Sequence, residues 1–96
     1  MQEERIELVR PQMGTSRALT VRRYGKAGAG PKAYFQAALH ADELPGVITL
    51  HHLEALLKEA DAKGEITGEI VVVPFANPIG LTQYVDMKPL GRFELR

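Results

Sequence analysis

Cysteine is absent from the 96 residues, and aromatic side chains make up only 6% of them. The missing cysteine excludes a disulfide scaffold and any thiolate metal site, so a metal bound here has only His, Asp and Glu to hold it. It also permits a reducing compartment. No apolar run approaches the roughly 18 residues that span a bilayer, and the acidic start Gln2-Glu3-Glu4 is unlike the basic opening of a signal peptide. We therefore expect a cytoplasmic chain with no membrane partner. Net charge is lacking as well, because twelve basic and twelve acidic residues cancel.

What is present is ordinary for a globular protein: 45% hydrophobic and 25% charged residues argue against disorder and fibrous classes. The length suits one domain, residues 1–96, with a small core. The charges are unevenly placed. Residues 1–32 hold seven basic and three acidic side chains, the remainder five and nine. A basic first third raises the question of nucleic acid, but its Arg and Lys are scattered through alternating segments with little aromatic interleaving for base stacking. We read it as a solvated sheet face and expect no nucleic-acid partner.

Residues 5–9 alternate polar and apolar as a half-buried strand does, ending at Pro11 and Gly14. Residues 17–24 alternate again, with Leu19 and Val21 on one face and Thr20 and Arg22 on the other, which predicts an antiparallel partner. The glycine-rich 25–31 superficially resembles a phosphate-cradling loop. Such loops need a helix N-terminus behind them, and a strand follows here, so it is read as a connection. Residues 32–39 are continuously apolar enough to suggest a strand covered on both faces.

From 47 to 63, Leu50, Leu53, Leu57 and Ala60 recur at helical spacing, with Glu54, Lys58 and Asp61 opposite and Gly64 as a stop. Residues 69–75 are β-branched and apolar, as a buried parallel strand is. Strand, helix and strand in series imply a right-handed crossover. The expected fold is α/β: a mixed sheet with an N-terminal antiparallel hairpin and a strand-helix-strand crossover. Asn77-Pro78-Ile79-Gly80 reads as a turn, and 81–96 shows no strong period.

Within this frame one stretch concentrates chemistry: His40 and Glu43, just beyond the third strand and before Pro45-Gly46. Ligands collect outside the carboxyl ends of parallel strands, and residues 77–80, beyond the next parallel strand, open onto the same edge. Pro45 and Gly46 are expected to form a tight turn that lets imidazole and carboxylate meet at one metal. Spacing decides little by itself. With three histidines and nine glutamates, His-x-x-Glu arises by chance in roughly one such sequence in four. His51 and Glu54 repeat it inside the predicted helix, where both read as solvated, and His52 reads as a surface or boundary residue. For His40 and Glu43 the alternative is a histidine bonded to a backbone carbonyl and a glutamate capping the helix.

The run Ala38-Leu39-His40-Ala41-Asp42-Glu43-Leu44-Pro45-Gly46 resembles the first zinc-ligand motif of the succinylglutamate desuccinylase and aspartoacylase family, relatives of the zinc carboxypeptidases. Pro74-Phe75-Ala76-Asn77-Pro78-Ile79-Gly80 is similar to that family's strand and Asn-Pro-x-Gly turn. Gly91-Arg92-Phe93-Glu94-Leu95-Arg96 resembles the lead-in to its substrate-binding Asn-x-Asn-Arg segment.

The resemblance implies the N-terminal part of a zinc-carboxypeptidase-like fold. It makes His40 and Glu43 ligands of Zn2+, whose water attacks the amide or acyl carbonyl of an acyl-amino acid or peptide-like substrate. Asp42 would lie behind the ligands or in solvent, and Asn77 would shape the turn. Ala41 stands where many relatives have glycine. The third zinc ligand, the substrate-binding arginine and the general-base glutamate of the family have no counterpart here, so we expect part of a longer hydrolase, inactive alone. The other reading is a non-catalytic interaction module that self-associates through an exposed sheet edge.

Overall fold

The computed structural model describes residues 1–9, 14–82, 84–85 and 87–89. Its main sheet contains β1 (Gln2–Glu7), β2 (Ala18–Gly25), β3 (Lys32–Gln36) and β4 (Glu69–Val73) in the order β1-β2-β4-β3. β1 and β4 each run antiparallel to β2, and β3 runs parallel to β4. Helix α1 (Pro45–Ala62) makes the crossover between the two parallel strands. The mixed α/β fold with hairpin and crossover is therefore the one expected.

β4 takes the interior position because its side chains suit it. Val71, Val72 and Val73 are all buried, and β-branched residues pack well on a pleated surface covered from both sides. On the helix side, Val72 joins Tyr24, Ala37, Leu50 and Leu57, with Val47, Leu53, Ile66 and Ile70 around them. On the other face, Val21, Val71 and Val73 pack with Leu19 and Ala76. Each fully buried Leu or Val contributes about 1.5–3 kcal/mol.

Several local expectations change. β1 begins earlier than residues 5–9 suggest, and it is exposed along its whole length rather than half-buried. It is an edge strand, paired only with β2. β3 ends at Gln36 and is the opposite edge, not a strand covered on both faces: Tyr34 and Phe35 are exposed. Apolar continuity signals potential burial; it does not say which strand the sheet places inside. Pro45 and Gly46 form the first turn of α1, not a separate turn before it. A proline fits that position because its missing N–H would have no partner inside the helix.

The helix ends as its glycine predicts. Gly64 adopts φ +70°, its N–H reaches the Asp61 carbonyl, and the Glu65 N–H reaches that of Ala60, at 3.0 Å each. This double closure satisfies the last carbonyls of the helix. Two other glycines permit close approach. A Cβ on Gly25 would strike the Gly68 carbonyl oxygen, and one on Gly68 the Pro31 oxygen, which brings the β2–β3 connection against the start of β4.

Residues 77–80, expected as a turn, open a short helix α2 (Pro78–Leu81). A small antiparallel pair, β5 (Tyr84–Val85) with β6 (Lys88–Pro89), follows where no period was legible. The segment from Gly91 to Arg96 lies outside the described residues. Among the described residues no helix is long and apolar enough to cross a membrane.

Candidate metal site at the strand ends

The loop between β3 and α1 is built by three successive constraints. Ala37 continues the ladder past β3, its N–H donating to the Val73 carbonyl at 3.1 Å while its own carbonyl accepts from Ala76 N–H at 2.9 Å. Ala38 then turns the chain with φ +55°, a left-handed conformation that costs an L-residue roughly 1–2 kcal/mol. Leu39 follows, its carbonyl accepting from Nδ2 of Asn77 at 3.1 Å. His40 therefore leaves a segment pinned to the carboxyl end of β4.

Glu43 returns toward His40 over one turn of backbone, its N–H donating to the His40 carbonyl at 3.0 Å. Ala41 inside that turn is fully buried. The side chains meet as the backbone does: Nδ1 of His40 lies 3.0 Å from Oε1 of Glu43. A carboxylate can only accept, so the ring N–H donates. Both groups are largely exposed, at 53% and 69% of their side-chain surface. They line a cleft of about 420 Å³ together with Gln36, Ala37, Ala38, Leu39, Pro45 and Gly46.

This donor pair suits a zinc ion. Zinc takes imidazole nitrogen at 2.0–2.1 Å and carboxylate oxygen at about 2.0–2.2 Å, and tetrahedral ligands then stand about 3.4 Å apart. The two atoms at 3.0 Å need separate by only a few tenths of an ångström for an ion to replace the bridging proton. Among the described residues no cluster of three or more His, Asp or Glu side chains could hold a metal, so the pair stands without a third donor of those types there. Asp42 is exposed on the same loop.

The alternative reading of Glu43 as a helix cap does not match the structure. Leu44 occupies the N-cap position of α1, with no side-chain cap bond. Asn77 has the part expected of it and a further one. Its Oδ1 accepts from Gly80 N–H at 2.9 Å, capping α2, while the amide nitrogen ties down Leu39. A turn was legible from Asn-Pro-x-Gly, though not the helix it caps; the second bond links residues far apart in sequence and had no local signal.

The second His-x-x-Glu pair behaves differently from expectation. His51 is exposed as anticipated, its ring edge-on to His52 with centroids 5.6 Å apart. Glu54 is buried. Its Oε1 accepts from the Tyr24 hydroxyl and its Oε2 from Arg22 Nη1, both at 2.8 Å. The face of β2 carrying Thr20 and Arg22 is the one that α1 covers, so a carboxylate facing it is enclosed with its partners. Burial, and then the Glu54 carboxylate, push the Tyr24 pKa upward.

The opposite ends of the parallel strands carry structural charge. Glu69 is buried and accepts from Gly28 N–H at 2.6 Å and Arg23 Nη1 at 3.2 Å, with Lys32 Nζ at 3.4 Å. The Gly28 N–H, ahead of Lys32 and Arg23, holds this carboxyl below its usual range.

Known proteins resemble this chain in sequence and in fold. The family model described as the succinylglutamate desuccinylase/aspartoacylase catalytic domain matches residues 29–90. A family protein of that description from Shewanella amazonensis superposes with TM-score 0.81 at 33% identity, over 98% of this chain and 25% of the other. A second, from Shewanella frigidimarina, gives TM-score 0.77 at 25% identity, over 97% and 24%. The chain thus spans about a quarter of the length of these structures. No curated protein gives a significant match.

Proposed function

Because this chain belongs to the succinylglutamate desuccinylase/aspartoacylase family, we propose that it forms part of a zinc-dependent amide or acyl hydrolase and carries two ligands of its metal, His40 and Glu43. The observation that supports this most directly is the 3.0 Å approach of Nδ1 and Oε1, in a cleft at the carboxyl end of a parallel strand, where α/β sheets collect ligands. The family name points to acyl-amino acids as the substrate class, with peptide-like substrates as close chemical relatives, and the cysteine-free composition is compatible with a cytoplasmic setting.

A zinc ion held there supplies Lewis acidity toward the scissile carbonyl and toward the attacking water. The residues of this chain do the positioning. His40 presents a ring nitrogen and Glu43 a carboxylate oxygen, both reached from solvent. Ala38 and Ala41, both buried, fix the backbone between strand and helix, and Asn77 holds Leu39. Two protein ligands bind zinc weakly. The reading therefore requires a third ligand, a substrate-binding arginine and a general base from a longer protein, and predicts no hydrolysis by the 96 residues alone.

Native mass spectrometry in zinc tests the assignment. The account expects one ion per chain, lost in His40→Ala and in Glu43→Ala; undiminished occupancy in both variants would refute it.

The exposed edge supports a second role. β1 presents Glu3, Glu4, Arg5 and Glu7, charges that discourage strand addition. β3 instead leaves Tyr34 and Phe35 exposed along its free edge, so a second copy could add to the sheet there. A sedimentation mass that rises with concentration and falls back in Phe35→Lys supports this role; a constant monomer mass removes it.

A further inference from the structure

Beyond the ligand pair, and resting on the reading of His40 as a ligand, we infer that Asn77 is the positioning residue of the site. Its amide group makes two bonds with separate jobs. Oδ1 accepts from Gly80 N–H at 2.9 Å and starts α2. Nδ2 donates to the Leu39 carbonyl at 3.1 Å, one residue before His40.

The second bond matters because of what surrounds it. The two backbone bonds of Ala37 to Val73 and Ala76 end the ladder at that residue. After it the chain must hold Ala38 at φ +55°, a conformation alanine leaves readily when nothing restrains it. At the residue after Ala38, the Leu39 carbonyl is held by the Asn77 amide. This bond ties the ends of β3 and β4 together and sets the direction in which the His40 ring leaves the backbone, toward Glu43. Asparagine is suited to this task because one planar group offers a donor and an acceptor on opposite atoms.

Asn77→Asp separates the two jobs. The carboxylate still accepts from Gly80 N–H and remains a good helix cap, but it has no proton to give Leu39. Asn77→Ser is the second variant, with a shorter hydroxyl that also caps. In the metal-free 96-residue chain, nuclear magnetic resonance reads amide exchange at Gly80 and Glu43 and the contact between the His40 ring and the Glu43 side chain. Gly80 protection is expected to persist in both variants. Glu43 protection should fall about tenfold, as one restraining bond is lost, and the His40–Glu43 contact should weaken.

In zinc titrations the dissociation constant should rise about tenfold, the lower end of what outer-sphere partners of a metal site contribute. Wild-type Glu43 protection and ring contact in both variants would overturn the inference. Global unfolding of both would do so too, by making Asn77 a residue of overall stability. A wild-type chain that binds no zinc would remove the ligand reading of His40, while the metal-free comparison would still decide whether Asn77 orients it.

Discussion

His40 and Glu43 stand on a loop, His51 and Glu54 on a helix, at the same spacing. On the loop, both side chains point to solvent and meet at 3.0 Å. On the helix, the histidine stays outside while the glutamate is drawn under α1, only 7% of its side chain exposed and each oxygen taken by a partner. Identical spacing therefore yields an exposed histidine–glutamate pair in one place and a structural carboxylate in the other. What differs is the layer beneath: the strand ends leave the loop at an open edge, whereas Tyr24 and Arg22 of β2 face the helix.

The comparison can be broken most severely at Glu54. Replacing it with alanine leaves the buried Tyr24 hydroxyl and the half-buried Arg22 without their shared acceptor. The expected loss is about 2–3 kcal/mol, below the full cost of splitting a buried pair because Arg22 is partly solvated. Urea unfolding measures it, and zinc binding by the folded fraction should be unchanged. A loss under about 0.5 kcal/mol would mean that the cluster contributes no net stability.

Ala38→Val probes the other side. A β-branched residue tolerates a left-handed backbone badly and the site is buried, so a loss of about 2 kcal/mol is expected, while Ala38→Gly should stay within about 0.5 kcal/mol of wild type. Equal unfolding midpoints for the valine and glycine variants would contradict the left-handed turn.

Tyr24→Phe should cost about 1 kcal/mol, one hydrogen bond to a charged group partly offset by the easier burial of a phenyl ring. In a double-mutant cycle with Glu54→Ala the two losses should fall short of additive, because both remove the same bond.

The smallest effect is on acid stability. Asp61 is held below the usual carboxyl range by the amino terminus of Met1 and then by Gly25 N–H, as Glu69 is by Gly28 N–H. A carboxyl with a lowered folded pKa contributes stability that is complete above its unfolded value, near pH 4, and is lost as pH falls through the folded value. Glu69→Gln should therefore flatten the acid limb of the stability curve. A wild-type acid limb in Glu69→Gln would contradict that assignment.

Much of this arrangement was legible before any coordinates. The periodicity of Leu50, Leu53 and Leu57 located the helix, Gly64 its end, and the valine run of β4 the central strand. The position of His40 and Glu43 beyond a parallel strand followed from the same reading. What escaped it depends on tertiary neighbours. The apolar residues 33–39 could not reveal that β3 lies at an edge, because edge or interior is decided by which strands pair, not by the strand itself. Glu54 looked solvated on a helical wheel, since no one-dimensional pattern shows Tyr24 and Arg22 waiting on β2. Nor did anything near Asn77 announce its bond to Leu39.

The central claim is that the loop pair binds metal and the helix pair does not. Calorimetric titration of zinc into the wild type, His40→Ala and His51→Ala decides it. The account predicts weak binding of one ion per chain in the wild type, abolished in His40→Ala and retained in His51→Ala. Binding that survives in His40→Ala, or that disappears only in His51→Ala, would contradict it.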